Sequence, residues 1–78
     1  MVFQSMQKFN YGKLKGRIIE KFGSQKAFAE FLGWSEGKLS KKLNNKIEFY
    51  QSEIVLFMEL LDIAFDEIVL YFFTLYVQ

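Results

Sequence analysis

The sequence predicts an all-α fold, a compact five-helix domain, on three observations. Apolar residues recur every three or four positions in successive segments, Gly, Ser and Asn punctuate those segments, and one pair of short segments flanks a three-residue break, Gly33-Trp34-Ser35. At 78 residues the chain supports one core, which at this size leaves only a few kcal/mol of net stability.

Tyr11, Leu14, Ile18 and Phe22 make one face of a first helix, with Lys13, Lys15, Arg17 and Lys21 on the others and Asn10 expected as its cap. Gly23 closes it, and Ser24 is placed to cap a second helix over about Gln25 to Leu32, with Phe28, Ala29 and Leu32 inward. Gly33 supplies a left-handed turn, Trp34 an apolar plug, and Ser35 the cap of a third helix over about Glu36 to Leu43. Leu39 and Leu43 point that helix inward, leaving Glu36, Gly37, Lys38, Ser40, Lys41 and Lys42 for its outer surface.

Asn44-Asn45-Lys46 is a polar exit turn. A fourth helix, about Gln51 to Leu61, buries Ile54, Phe57, Met58 and Leu61 but also carries Val55, Leu56 and Leu60; a fifth, about Phe65 to Phe73, repeats that apolar excess. Such helices need a second surface to hide against. Phe31, Val55, Leu56, Tyr71 and Phe73 are the residues one small core cannot readily bury, and Thr74 to Val77 is strand-prone. The boundaries are an N-terminal arm at 1–8, a domain at 9–74 and a tail at 75–78. Residues 1–5 resemble the remnant of a protease-cleavage site.

Composition excludes much. There is no Cys and no His, so disulfides and the usual zinc and haem ligands are absent, and no cofactor or metal site is expected. No nucleophile and base stand isolated in an apolar setting, so the chain is not expected to be an enzyme. The acids Glu59, Asp62, Asp66 and Glu67 lack the loop spacing of a calcium site. The opening lacks a signal-peptide pattern, and the longest charge-free run, Ile68 to Gln78, is about half the ~20 residues a spanning helix needs. A cytoplasmic protein that contacts no membrane is expected.

The net charge of +1 conceals a division after Lys46. All ten basic residues precede it, against three acids, a balance of +7; six acids and no base follow. A basic half suits a polyanion, and an acidic half repels one.

The stretch Gln25, Ala29, Leu32, Gly33, Trp34, Ser35 resembles the helix-turn-helix of the λ-repressor-like family, the phage repressor and Cro-type proteins. The wider frame, from "YGKLKGRIIEKFGSQKAFAE" through "NNK" and "ELLDI" to "YFFT", resembles small repressor-like proteins from phages of Gram-positive bacteria. Trp34 is larger than the aliphatic residue usual at its position, and prolines common in that family's loops are missing.

That resemblance implies a sequence-specific repressor of transcription, binding a double-stranded DNA operator as a homodimer through helices 4 and 5, with no small-molecule ligand. It places Glu36, Gly37, Lys38 and Lys41 nearest the base edges in the major groove. Gln25, Lys26, Lys42, Asn44, Asn45 and Lys46 would contact phosphates. The alternative is a protein-interaction adaptor or antirepressor that uses the same corner as scaffold and the apolar surface of helices 4 and 5 for docking. Salt separates the two, because counterion release makes DNA binding fall steeply with ionic strength.

Overall fold

The computed structural model describes residues 8–76. The expected cleavage-site remnant at 1–5, most of the arm at 1–8 and the last two residues of the tail lie outside them. The architecture is all-α: α1 (Gly12–Phe22), α2 (Gln25–Leu32), α3 (Glu36–Leu43), α4 (Gln51–Leu60), and a 3₁₀ turn (Phe65–Glu67) that runs into α5 (Ile68–Phe72). Among the described residues there is no strand, only a single antiparallel bridge between Phe9 and Leu75. No helix among them is long and apolar enough to cross a membrane.

Local chemistry accounts for the first three helices. Asn10 contributes at the start of α1, where its Oδ1 accepts from the Gly12 amide at 2.9 Å, although the residue preceding the helix is Tyr11. Ser24 Oγ accepts from the Ala27 amide at 3.0 Å and Ser35 Oγ from the Lys38 amide at 3.1 Å, each satisfying a donor that a helix start leaves free. Between α2 and α3, Gly33 has φ +75°, and the Trp34 amide reaches back to the Ala29 carbonyl at 2.9 Å. A non-glycine residue here would adopt a left-handed conformation at a cost.

The core gathers inward residues from every helix. Leu14 and Ile18 of α1, Phe28 and Ala29 of α2, Leu39 and Leu43 of α3, Phe57 of α4 and Phe72 of α5 are all buried. Phe57 is the hub of an aromatic cluster, with ring centroids 4.9 Å from Phe28, 5.3 Å from Phe49 and 5.7 Å from Trp34. Edge-to-face and tilted arrangements of this kind add to what area burial alone gives.

Two departures from expectation have physical reasons. The fifth helix opens as a 3₁₀ turn whose residues bury nothing: Glu67 Oε1 accepts from the Ala64 amide at 3.1 Å, while Phe65 is 79 % exposed. Tyr71, expected at the surface, is buried, with Lys13 and Arg17 of α1 lying over its ring. The tail leaves helical geometry at Thr74, whose hydroxyl donates to the Leu70 carbonyl at 2.9 Å, and then runs extended beside residues 8–10.

Candidate interaction surface

The α2–α3 corner holds the predicted site residues, and the structure divides them into two groups. Glu36, Gly37, Lys38 and Lys41 are exposed on α3, as are Lys26 at the start of α2 and Lys46 beyond α3, with Gln25 half-buried. Lys38 does not extend freely: its Nζ lies 4.2 Å from the centroid of the Trp34 ring, a cation–π contact that the large residue in the corner makes available. Gly37 has open space where a side chain would stand, the nearest atom to a built Cβ being Ser35 Oγ at 4.0 Å.

The second group is engaged in contacts within the chain, and for Lys42 the expected phosphate role is corrected. Lys42 is 2 % exposed. Its Nζ lies 2.8 Å from Glu53 Oε1 of α4 and donates to the Glu48 carbonyl at 2.9 Å, with the Tyr50 ring centroid at 4.6 Å. A buried ammonium with all this around it cannot reach a phosphate. Asn44 donates through Nδ2 to the Ser40 carbonyl at 2.8 Å, tying down the end of its own helix. Asn45 spends both ends of its amide on one residue: Oδ1 accepts from the Phe9 amide at 2.9 Å and Nδ2 donates to the Phe9 carbonyl at 3.0 Å.

Glu53, the buried partner of Lys42, does not stand out in the sequence pattern. Burial pushes its carboxyl upward, but the hydrogen bond from Lys42, the bond from the Tyr50 amide and the Lys42 charge outweigh that and hold it below the usual carboxylate range. For Lys42 a signal existed. Leu39, Lys42 and Leu43 stand at i, i+3 and i+4, so the buried stripe of α3 includes the lysine. The acidic half of the chain thus neutralises one of the lysines that an operator-binding helix would present.

Arg17 joins the two halves at a second point. Its Nε donates to the Leu61 carbonyl and its Nη2 to the Asp62 carbonyl, both at 2.8 Å, closing the end of α4 where carbonyls lack helical partners. In the second half of the chain, apolar residues predominate among the exposed positions. Val55 and Leu56 of α4, Phe65 in the 3₁₀ turn, and Val69 and Leu70 of α5 are exposed, as is Phe73 just beyond it. On α2, Phe31 is 63 % exposed with its ring 5.3 Å from Phe22.

Comparisons with known proteins bear on this surface. A family model described as "Protein of unknown function (DUF739)" matches residues 7–75. Among solved structures, the chain is similar to the solution structure of the modulator of repression (MOR) of the temperate bacteriophage TP901-1 from Lactococcus lactis. The two share 38 % identity at a TM-score of 0.75, the match covering 90 % of this chain and 93 % of that one. A search of curated proteins finds no match.

These findings correct the resemblance to the λ-repressor-like Cro and repressor proteins. The neighbour is a modulator of repression and not a repressor, and the matching family is a different one. The operator-binding repressor is therefore set aside, and with it double-stranded DNA as the partner and the homodimer through helices 4 and 5. With the family model spanning nearly all of the sequence and the modulator matching end to end, the chain belongs to the DUF739 family.

Proposed function

We propose that this protein regulates transcription indirectly, by binding a phage repressor protein and altering its activity, the adaptor or antirepressor role that was the alternative reading of its sequence. The observation that carries this is the likeness to a modulator of repression over 90 % of the chain at 38 % identity. Two structural features support it. Lys42, Asn44 and Asn45 are consumed internally, which depletes the corner of the polar groups a DNA reader would use. The exposed Val55, Leu56, Val69, Leu70 and Phe73 supply apolar area of the kind that marks protein docking.

On this reading the protein acts in the cytoplasm, without catalysis and without a bound cofactor. The exposed residues of α2 and α3, Lys26, Lys38 and Lys41 with Glu36, then serve as a polar rim that steers and orients the repressor.

The test is titration of the full chain into a purified phage repressor, by calorimetry, in parallel with titration into random-sequence duplex DNA. A saturable complex with the repressor is expected, its affinity changing less than about tenfold between 50 and 200 mM salt, where a DNA complex with six or more phosphate contacts would lose about 10³-fold or more. Selection of a specific duplex with no repressor complex would overturn the proposal. Substituting Val69→Ser and Leu70→Ser is expected to weaken the complex while leaving the unfolding midpoint nearly unchanged, since both side chains are more than half exposed.

A further inference from the structure

A half-open cavity of about 520 Å³ lies between the N-terminal extended segment, the loop that follows α3, and the facing parts of α4 and α5. Its walls are largely aromatic and aliphatic: Phe9, Tyr11, Phe49, Ile54 and Phe72. The volume falls within the range of pockets that enclose a ligand, and it has room for two large apolar side chains. It is built from both halves of the chain and, of the residues the resemblance assigns to DNA contact, includes only Asn45 and Lys46.

The polar groups at this cavity are few and consistent. Lys8 and Lys46 both line it, and the Asn45 amide, bonded twice to the Phe9 backbone, joins the segments that carry them. Both lysines are exposed, and among the described residues neither makes an ion pair. Glu48 also lines the cavity, and its charge acts on Tyr11. Burial first, and Glu48 second, push the pKa of the Tyr11 hydroxyl upward. The cavity therefore combines an apolar lining with two unpaired ammonium groups outnumbering one carboxylate.

The backbone limits what can enter. An extended segment is often captured by adding a strand to a free edge, but here residues 8–10 have no free edge at Phe9. One side pairs with Thr74 and Tyr76, and the other is occupied by Asn45. A guest must bind through its side chains, not through strand addition.

We propose that this cavity is a docking site for a short acidic-aromatic segment of a protein partner, with two adjacent large apolar side chains inside and flanking carboxylates on Lys8 and Lys46. The proposal rests on the reading that the partner is a protein, and it names the chemistry by which a part of that partner is held. Ion pairs at an exposed rim contribute modestly, so the apolar contact supplies most of the affinity and the lysines supply the preference for acids.

The experiment uses the full chain, labelled with ¹⁵N, and two blocked hexapeptides: Ala-Asp-Leu-Phe-Glu-Ala and its uncharged counterpart Ala-Asn-Leu-Phe-Gln-Ala. The acidic peptide is expected to bind saturably with half-saturation below about 1 mM, shifting amides of Phe9, Asn45 to Phe49 and Phe72. The uncharged peptide is expected to bind about fivefold more weakly, and Lys8→Gln with Lys46→Gln should abolish that difference. Ile47→Trp, at an exposed position on the cavity lining, should block both peptides while leaving the unfolding midpoint close to that of the parent.

Shifts elsewhere, equal binding of the two peptides, or unaltered selectivity in the lysine variant would overturn the proposal. So would shifts of the same amides on raising the concentration of protein alone, which would identify a second copy as the occupant, or contacts between the cavity and Phe3, which would identify the chain's own first residues. The repressor titration separates the two readings. Undiminished repressor binding by the Ile47→Trp variant would remove the cavity and keep the function, whereas peptide binding with no repressor complex would do the reverse.

Discussion

Lys42 shows how much can turn on the direction of one side chain. Leucines at positions 39 and 43 define the inward face of α3, and helical spacing places Lys42 on the edge of that same face, where the aromatic rings of Trp34, Phe49 and Tyr50 receive its ammonium and Glu53 neutralises it. Removing one partner of a buried pair leaves the other charged and unsatisfied, so Lys42→Met should destabilise by about 3 kcal/mol in urea unfolding. The double variant Lys42→Met with Glu53→Leu should recover most of the loss. The pH dependence carries a definite sign. Because the folded pKa of Glu53 lies below its ordinary 4.5, its contribution is complete above that value and is lost as pH falls through the lowered one. Acid titration of the unfolding free energy should show this loss in the parent and not in the double variant. In Lys42→Met alone the bond and charge of Lys42 are gone while the Tyr50 amide remains, so the Glu53 carboxyl should titrate higher than in the parent and the loss on acidification should shrink.

At the scale of elements, one device ends three helices, and only one of its three instances was legible in the sequence. Gly33, Asn45 and Asp62 all have positive φ, at +75°, +62° and +57°. Behind each, an amide reaches back over the helix end: Trp34 to Ala29, Lys46 to Lys41, and Ile63 to Met58, at 2.9, 2.8 and 2.9 Å. Glycine announces such an end by itself. Asn45 and Asp62 are held in this conformation by distant partners, the Phe9 backbone and the Arg17 guanidinium, which no local pattern reveals. Gly33→Ala should therefore cost about 1 to 2 kcal/mol through backbone strain. Asn45→Gly keeps the backbone relaxed and loses only the two hydrogen bonds, so it should cost about 1 to 2 kcal/mol and speed hydrogen exchange at the Phe9, Asn10 and Tyr76 amides, with α1 and α2 unchanged.

At the scale of the molecule, the sequence divides into a basic and an acidic half, and folding stitches them together. Arg17 closes the end of α4, Lys21 lies 3.8 Å from Asp62, Lys42 meets Glu53 and Lys13 lies over the Tyr71 ring, so four of the ten cations are directed at the chain's own second half. The charge division thus serves internal cohesion as well as any partner. Of these contacts only Lys42–Glu53 is well shielded from solvent, since Asp62 in the Lys21 pair is 85 % exposed at its side chain. Moderate salt should accordingly lower the stability of the free protein little, and Lys21→Ala should change it by less than about 0.5 kcal/mol in thermal unfolding.

The helices of the first half are legible almost to the residue in the linear pattern, because their signals are local: Ser24 and Ser35 cap α2 and α3, Gly23 and Gly33 end α1 and α2, and the apolar spacing sets the inward faces. That pattern also determined that the second half would carry more apolar surface than one core can cover. Which polar groups remain available to a partner is settled by long-range packing. Lys42, Asn44 and Asn45 look like free surface in a linear pattern, yet in the folded chain Lys42 and Asn45 are claimed by residues 11 and 36 positions away and Asn44 by its own helix end. Availability depends on desolvation and on long-range hydrogen bonding, and both arise only when distant segments of the chain meet.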